Sequence, residues 1–272
     1  MYKMRFTAGL TLIIILLYAG VTFSHDYWFS LNRFAFTKGD TLVVNLLVGD
    51  ELHAEVERPL QKDITRSFKL ITPERTIDLL PELADSTLPV LTRRLDFEGL
   101  ALVAMERDFW YTKMTGEQFA RSLKKEEMHD LIALREKIGP KQEEHKRYDR
   151  SIKVLLRAGE SMKGDAYKKI LGHKVELVLL QNPFLLKPGE TLQVKVIDRG
   201  TPLANKLVKA YHGDGNKLVS KQKAYTDADG IASFKLEGKG FWLIRLSHLW
   251  HCQDCEKVDW ENHYSTYSFV LP

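Results

Sequence analysis

Residues 191–202 read Thr191-Leu192-Gln193-Val194-Lys195-Val196-Ile197-Asp198-Arg199-Gly200-Thr201-Pro202, an apolar-rich run that stops at a turn sequence. A run of that length closed by Asp, Gly and Pro reads as a β-strand followed by a tight connection. The same unit recurs on either side, at 175–180, 207–211, 218–225, 231–236, 241–247 and 264–271. Lys187-Pro188-Gly189-Glu190, Gly213-Asp214-Gly215-Asn216 and Asp227-Ala228-Asp229-Gly230 separate the runs. About seven short strands at this spacing predict a β-sandwich with Greek-key connections. Asp227-Ala228-Asp229-Gly230 lacks the further oxygen ligands of a calcium loop and reads as a turn.

Nearer the start, 41–48, 67–71 and 99–105 have the same form and predict a smaller sandwich over 25–114. Between the two, the pattern changes. Thr115-Gly116-Glu117-Gln118 fits a capping box, and Phe119, Leu123, Leu131, Leu134 and Ile138 follow at helical spacing until Gly139-Pro140. A second helix is predicted over 142–158, with Tyr148, Ile152, Leu155 and Leu156 as its apolar side. The predicted fold class is therefore mainly β. Two immunoglobulin-like, Greek-key β-sandwich domains (25–114 and 171–272) flank a helical insertion or linker at 115–170.

The first 24 residues have a different character. Lys3 and Arg5 precede an uncharged apolar run that ends in Thr22-Phe23-Ser24, the layout of a secretory signal peptide. The run falls short of the roughly 20 residues that span a bilayer as a helix. The expectation is a periplasmic or secreted protein, cleaved after Ser24, with no stable transmembrane segment afterwards. The formal net charge of +4 includes Lys3 and Arg5, so the chain from His25 onward carries +2. A balance that small argues against nucleic acid as a partner.

Cleavage would make His25 the first residue, offering an α-amine and an imidazole to one metal ion. A second group of donors lies in His248-Leu249-Trp250-His251-Cys252-Gln253-Asp254-Cys255. His248, His251, Cys252 and Cys255 are imidazole and thiol ligands suited to zinc, copper or nickel. The alternative for the cysteines is a short-loop disulfide, which an exported protein can keep. Asp50 and His53 are lesser candidates beside Gly49. The sequence has no nucleophile elbow, P-loop or dinucleotide fingerprint, and no carboxylate pair stands out as an acid–base dyad.

His25-Asp26-Tyr27-Trp28-Phe29 resembles the mature start of a bacterial exported family, the domain of unknown function 4198. Further matches follow in order. They are Leu131-Ile132-Ala133-Leu134-Arg135-Glu136, the stretch from Tyr148 to Gly159, Val175-Glu176-Leu177-Val178, Asn182-Pro183-Phe184 and Leu186-Lys187-Pro188-Gly189-Glu190. Thr226-Asp227-Ala228-Asp229-Gly230, Gly240-Phe241-Trp242-Leu243-Ile244-Arg245 and Asp259-Trp260-Glu261 complete the series. The resemblance implies a two-domain β-rich exported protein, some of whose relatives accompany nickel or cobalt uptake transporters. His25 and His248 coincide with histidines of the family pattern. Asp50, where relatives carry a histidine, and the Cys252/Cys255 pair depart from it.

Two functional expectations follow. The first is an exported protein that binds nickel, copper or cobalt, with zinc a further candidate, as an accessory to uptake or homeostasis. Its partners would be the metal ion and a membrane metal transporter, and catalysis is not required. The second is a periplasmic or cell-surface sandwich that binds carbohydrate or protein without metal chemistry.

Overall fold

In a computed structural model, residues 25–214 and 217–272 are described; the predicted signal segment 1–24 lies outside the described residues. The chain is mainly β, as expected, and its strands fall into three sheets. The largest runs in the order Lys217–Tyr225, Leu207–Asp214, Gly240–His251, Trp260–Leu271, Glu143–Ala158, Gly99–Thr115, Thr65–Ile71, Thr76–Asp78, with Ala35–Phe36 pairing beside Glu143–Ala158. A first small sheet comprises Asp26–Leu31, Thr41–Asp50, His53–Arg58 and Leu91–Arg94. A second comprises Val175–Leu179, Thr191–Asp198, Thr201–Pro202 and Ile231–Lys235.

The small sheets cover opposite faces of the large one. Along Gly99–Thr115, Leu100, Leu102 and Ala104 enter the core shared with the second small sheet. Ala101, Val103 and Met105 enter the core shared with the first. A strand buried on both faces reads as one continuous apolar run, which explains the uninterrupted Leu100–Met105 sequence. Trp28 and Trp242 are buried side chains in these layers.

Glu143–Ala158 corrects the sequence reading, which predicted a helix over 142–158. Ile152, Val154, Leu156 and Ala158 alternate onto one core while Leu155 enters the other. Tyr148, Ile152, Leu155 and Leu156 fit a helical stripe equally well, so their spacing alone does not decide. The two cores decide it, because a two-sided apolar segment fills the middle layer of a three-layer stack. Helix is confined to Gly116–Lys125 and His129–Ile138 in the expected insertion, apart from a 3₁₀ turn at Ala166–Lys168. The capping box forms as read. The Gln118 backbone N–H donates to the Thr115 hydroxyl at 3.2 Å, and Thr115 N–H donates to Gln118 Oε1 at 2.9 Å. Phe119, Leu123 and Leu131 pack the helices onto Leu249 and Trp260, at the far end of the large sheet.

Trp260–Leu271 pairs parallel with Glu143–Ala158, from Trp260↔Lys146 to Ser268↔Val154. This ladder makes the large sheet continuous from one half of the chain to the other. Lys153, only 1% exposed, donates from its ammonium to Glu176 Oε2 at 2.8 Å and ties that central strand to the second small sheet. Burial pushes the Lys153 ammonium below its usual range while Glu176 opposes the shift. Glu176→Leu should therefore cost about 3–5 kcal/mol in urea unfolding, because it leaves a buried charge unpaired. Adding Lys153→Met should restore most of that loss, and a double variant as weak as the single one would contradict the pairing.

Candidate functional site

His25 and His248 are not brought together. His25 is half-buried, with Nδ1 3.6 Å from Glu55 Oε1 in the first small sheet. Its neighbour Asp26 pairs with Arg245 Nε at 2.7 Å. Arg245 and His248 are three residues apart on one strand, so their side chains leave opposite faces of the sheet. His248 accordingly lies on the other side, 4.0 Å from Asp198 Oδ2 of the second small sheet and against the ring of Trp250. Burial, reinforced by Lys206, His263 and Arg199, lowers the His248 imidazole to about 3, which keeps it neutral. The two halves of the predicted pincer are separated by the sheet itself, and these residues do not fit one metal ion.

The second predicted donor group is also rearranged. Cys252 and Cys255 form a disulfide, and the His251 ring packs edge-on against Trp260. Among the described residues, Cys252, Cys255 and Glu261 place donor atoms within 4.8 Å of one another. Disulfide sulfurs are not thiolate ligands, so the oxidised group does not fit a transition metal either. Asp50 is taken by Lys125 at 2.7 Å, and His53 lies exposed at a hairpin end.

The parallel ladder sets up a denser polar region that the sequence reading missed. It places Glu261 beside Arg147, His263 beside Asp149 and Tyr264 beside Arg150. The odd-numbered residues face the second small sheet, and the charged ones among them are paired. Arg147 Nε donates to Glu261 Oε2 at 2.6 Å. His263 Nδ1 is hydrogen-bonded to Asp149, whose other oxygen lies 3.0 Å from Lys174 Nζ. His263 is thus a satisfied core histidine.

The even-numbered residues face the other way and follow a different rule. Lys146, Tyr148 and Arg150 line up on the face carrying the first small sheet and the helices. The Arg150 guanidinium lies 4.0 Å from the ring centre of Tyr27, 4.8 Å from Tyr148 and 4.7 Å from Tyr264. Arg107, directly opposite Arg150 on the next strand, lies 5.2 Å from the same Tyr27 ring and donates to Gln61 Oε1 at 2.6 Å. A register shift between Arg107 and Trp110 inserts an extra residue and leaves Trp110 51% exposed at the rim. Tyr27, Arg58, Gln61, Arg107, Tyr148 and Arg150 line the resulting cleft of about 230 Å³.

A neighbouring charge cluster fixes the first strand against this floor. Arg245, fully buried, holds both Asp26 and Glu126, and Lys209 also reaches Glu126 at 3.0 Å. Burial raises the Asp26 carboxyl to about 6, even against the pull of Arg245. Burial works the same way on Glu126, but Arg245 and Lys209 outweigh it and hold that carboxyl at about 2.

The molecule is thus a mainly β protein of stacked sheets with an arginine–tyrosine cleft beside its first strand. It belongs to the family described as "Domain of unknown function (DUF4198)", which matches residues 22–249. No curated protein matches the chain. Among solved structures it is similar to the D0–D1 domain of intimin, at 13% identity and a TM-score of 0.22, covering 90% of this chain and 97% of that one. Latent PorU from Porphyromonas gingivalis matches at 12% identity and 0.21, covering 96% of this chain and 21% of that chain. Trypsin-activated alpha-2-macroglobulin from Escherichia coli matches at 10% and 0.22, covering 92% and 16%. Likeness at these scores carries no argument about fold or function.

The charge cluster yields a direct test by carbon-13 carboxyl NMR. Asp26 should titrate near pH 6 in the native protein. In Glu126→Gln it should titrate lower, because a neighbouring negative charge is gone while Arg245 remains. An unchanged or higher midpoint in the variant would contradict the cluster.

Proposed function

We propose that this chain is an exported binding module that holds a ligand in the cleft beside Tyr27, Trp110, Tyr148 and Arg150, without a resident transition metal. The observation that carries the reading is the cleft itself. Aromatic faces and a few fixed polar groups converge on a concavity large enough for one small ligand or one sugar unit. Export is supported by the apolar segment before His25 and by the Cys252–Cys255 disulfide, which persists in oxidising compartments. Sheet-on-sheet packing supports the two-sandwich description, with the continuous large sheet serving as a common wall for both halves.

The metal-accessory reading retains one foothold. Reduction of Cys252–Cys255 would leave two thiols beside Glu261, a donor set suited to zinc more than to nickel or copper. Partnership with a membrane metal transporter rests on the family resemblance alone.

Thermal melting in the presence of EDTA separates the readings. A panel of neutral sugars, acidic sugars and small organic acids should contain a member that raises the melting temperature, and Trp110→Ala should remove that shift. The module reading fails if nothing in the panel acts while nickel or copper, without EDTA, stabilises the oxidised protein.

A further inference from the structure

Six lysines and arginines are buried among the described residues: Arg107, Lys146, Arg150, Lys153, Lys209 and Arg245. Three of them have a carboxylate in contact. Lys153 meets Glu176, Lys209 meets Glu126, and Arg245 meets both Asp26 and Glu126. The other three, Arg107, Lys146 and Arg150, make no ion pair within 4 Å among the described residues, and all three stand around the same tyrosines.

This arrangement is unfavourable for the isolated fold. Arg107 and Arg150 are directly opposed across two paired strands, where like charges destabilise. Arg150 is 6% exposed, and its Nη1 has no hydrogen-bond partner. Tyrosine faces compensate a cation only in part, whereas an unpaired buried ion is strongly disfavoured. The nearby carboxylates relieve it only in part: Asp26 attracts Arg150 from a distance but is held by Arg245 at 2.7 Å, and Asp108 at the rim is held by Arg66 at 2.5 Å.

We infer that the cleft takes the carboxylate of a sugar acid, anchored between Arg107 and Arg150, with the sugar ring against Trp110. The inference rests on the binding-module reading and names the ligand class of that same cleft. Guanidinium groups present planar pairs of donors that match a carboxylate two at a time. Arg58 on the rim and Lys146 behind Tyr148 add positive potential on either side. Trp110, half exposed at the mouth, offers an apolar face to the C–H side of a pyranose ring. A cleft of about 230 Å³ has room for one such ring.

Isothermal titration in EDTA and low salt, with galacturonate, galactose, acetate and inorganic phosphate as probes, tests this. Galacturonate should bind, galactose should bind at least about tenfold more weakly, and Arg150→Met should lose at least about tenfold of the galacturonate affinity. Arg58→Gln, a change at an exposed rim position, should weaken galacturonate more than galactose and serves if Arg150→Met does not fold. Equal binding of galacturonate and galactose would overturn the carboxylate inference while leaving the binding module standing. Phosphate binding without galacturonate binding would overturn it in favour of a different anion. Failure of all four probes, with no other sugar or organic acid stabilising the protein, would overturn both readings.

Discussion

The parallel register between Trp260–Leu271 and Glu143–Ala158 is the constraint on which the rest of the molecule depends. It joins the two halves of the chain through one sheet and gives that sheet two covered faces. It also fixes which side chains meet. Because strand side chains alternate, one pairing assigns Arg147, Asp149 and Lys153 to one face and Lys146, Tyr148 and Arg150 to the other. A slip of one residue would exchange the two sets and strand Glu261 and His263 without partners.

The two faces obey different electrostatic rules. Toward the second small sheet, each buried charge has an opposite neighbour, and the result is a closed network of structural ion pairs. Such pairs contribute little net stability but are costly to break singly. Toward the helices and the first small sheet the charges divide: Arg245 and Lys209 are paired with Asp26 and Glu126, whereas Arg107, Lys146 and Arg150 are gathered around tyrosine rings. A fold selected for stability alone would place apolar or paired residues there. Local arrangements that oppose stability are expected where a protein binds something.

Much of the architecture was legible in the sequence. The seven candidate strands after Val175, the strands before Met114 and the Thr115–Gln118 cap all appear, and the helical stretch ending near Gly139 appears as two helices rather than one. The segment 142–158 was not legible, because apolar residues at 148, 152, 155 and 156 satisfy a helical stripe. Only the presence of a core on both sides makes it a strand. That one misreading concealed the cleft, since Lys146, Tyr148 and Arg150 share a face in a strand and not in a helix. The histidine pincer failed for a related reason. Residue types and order suggest donors, but whether His25 and His248 share a face is set by sheet topology, which spacing does not reveal.

If Arg150 is kept for binding, it opposes stability in the free protein. Urea unfolding of Arg150→Met without ligand measures this directly. Loss of three ring contacts, each of order 1 kcal/mol, is set against relief of a buried unpaired charge that costs several. The variant should lie within about 1 kcal/mol of the native protein or be more stable than it. Destabilisation by about 3 kcal/mol or more would mean that the tyrosine cage satisfies the guanidinium by itself, and the cleft would lose its reason to bind an anion.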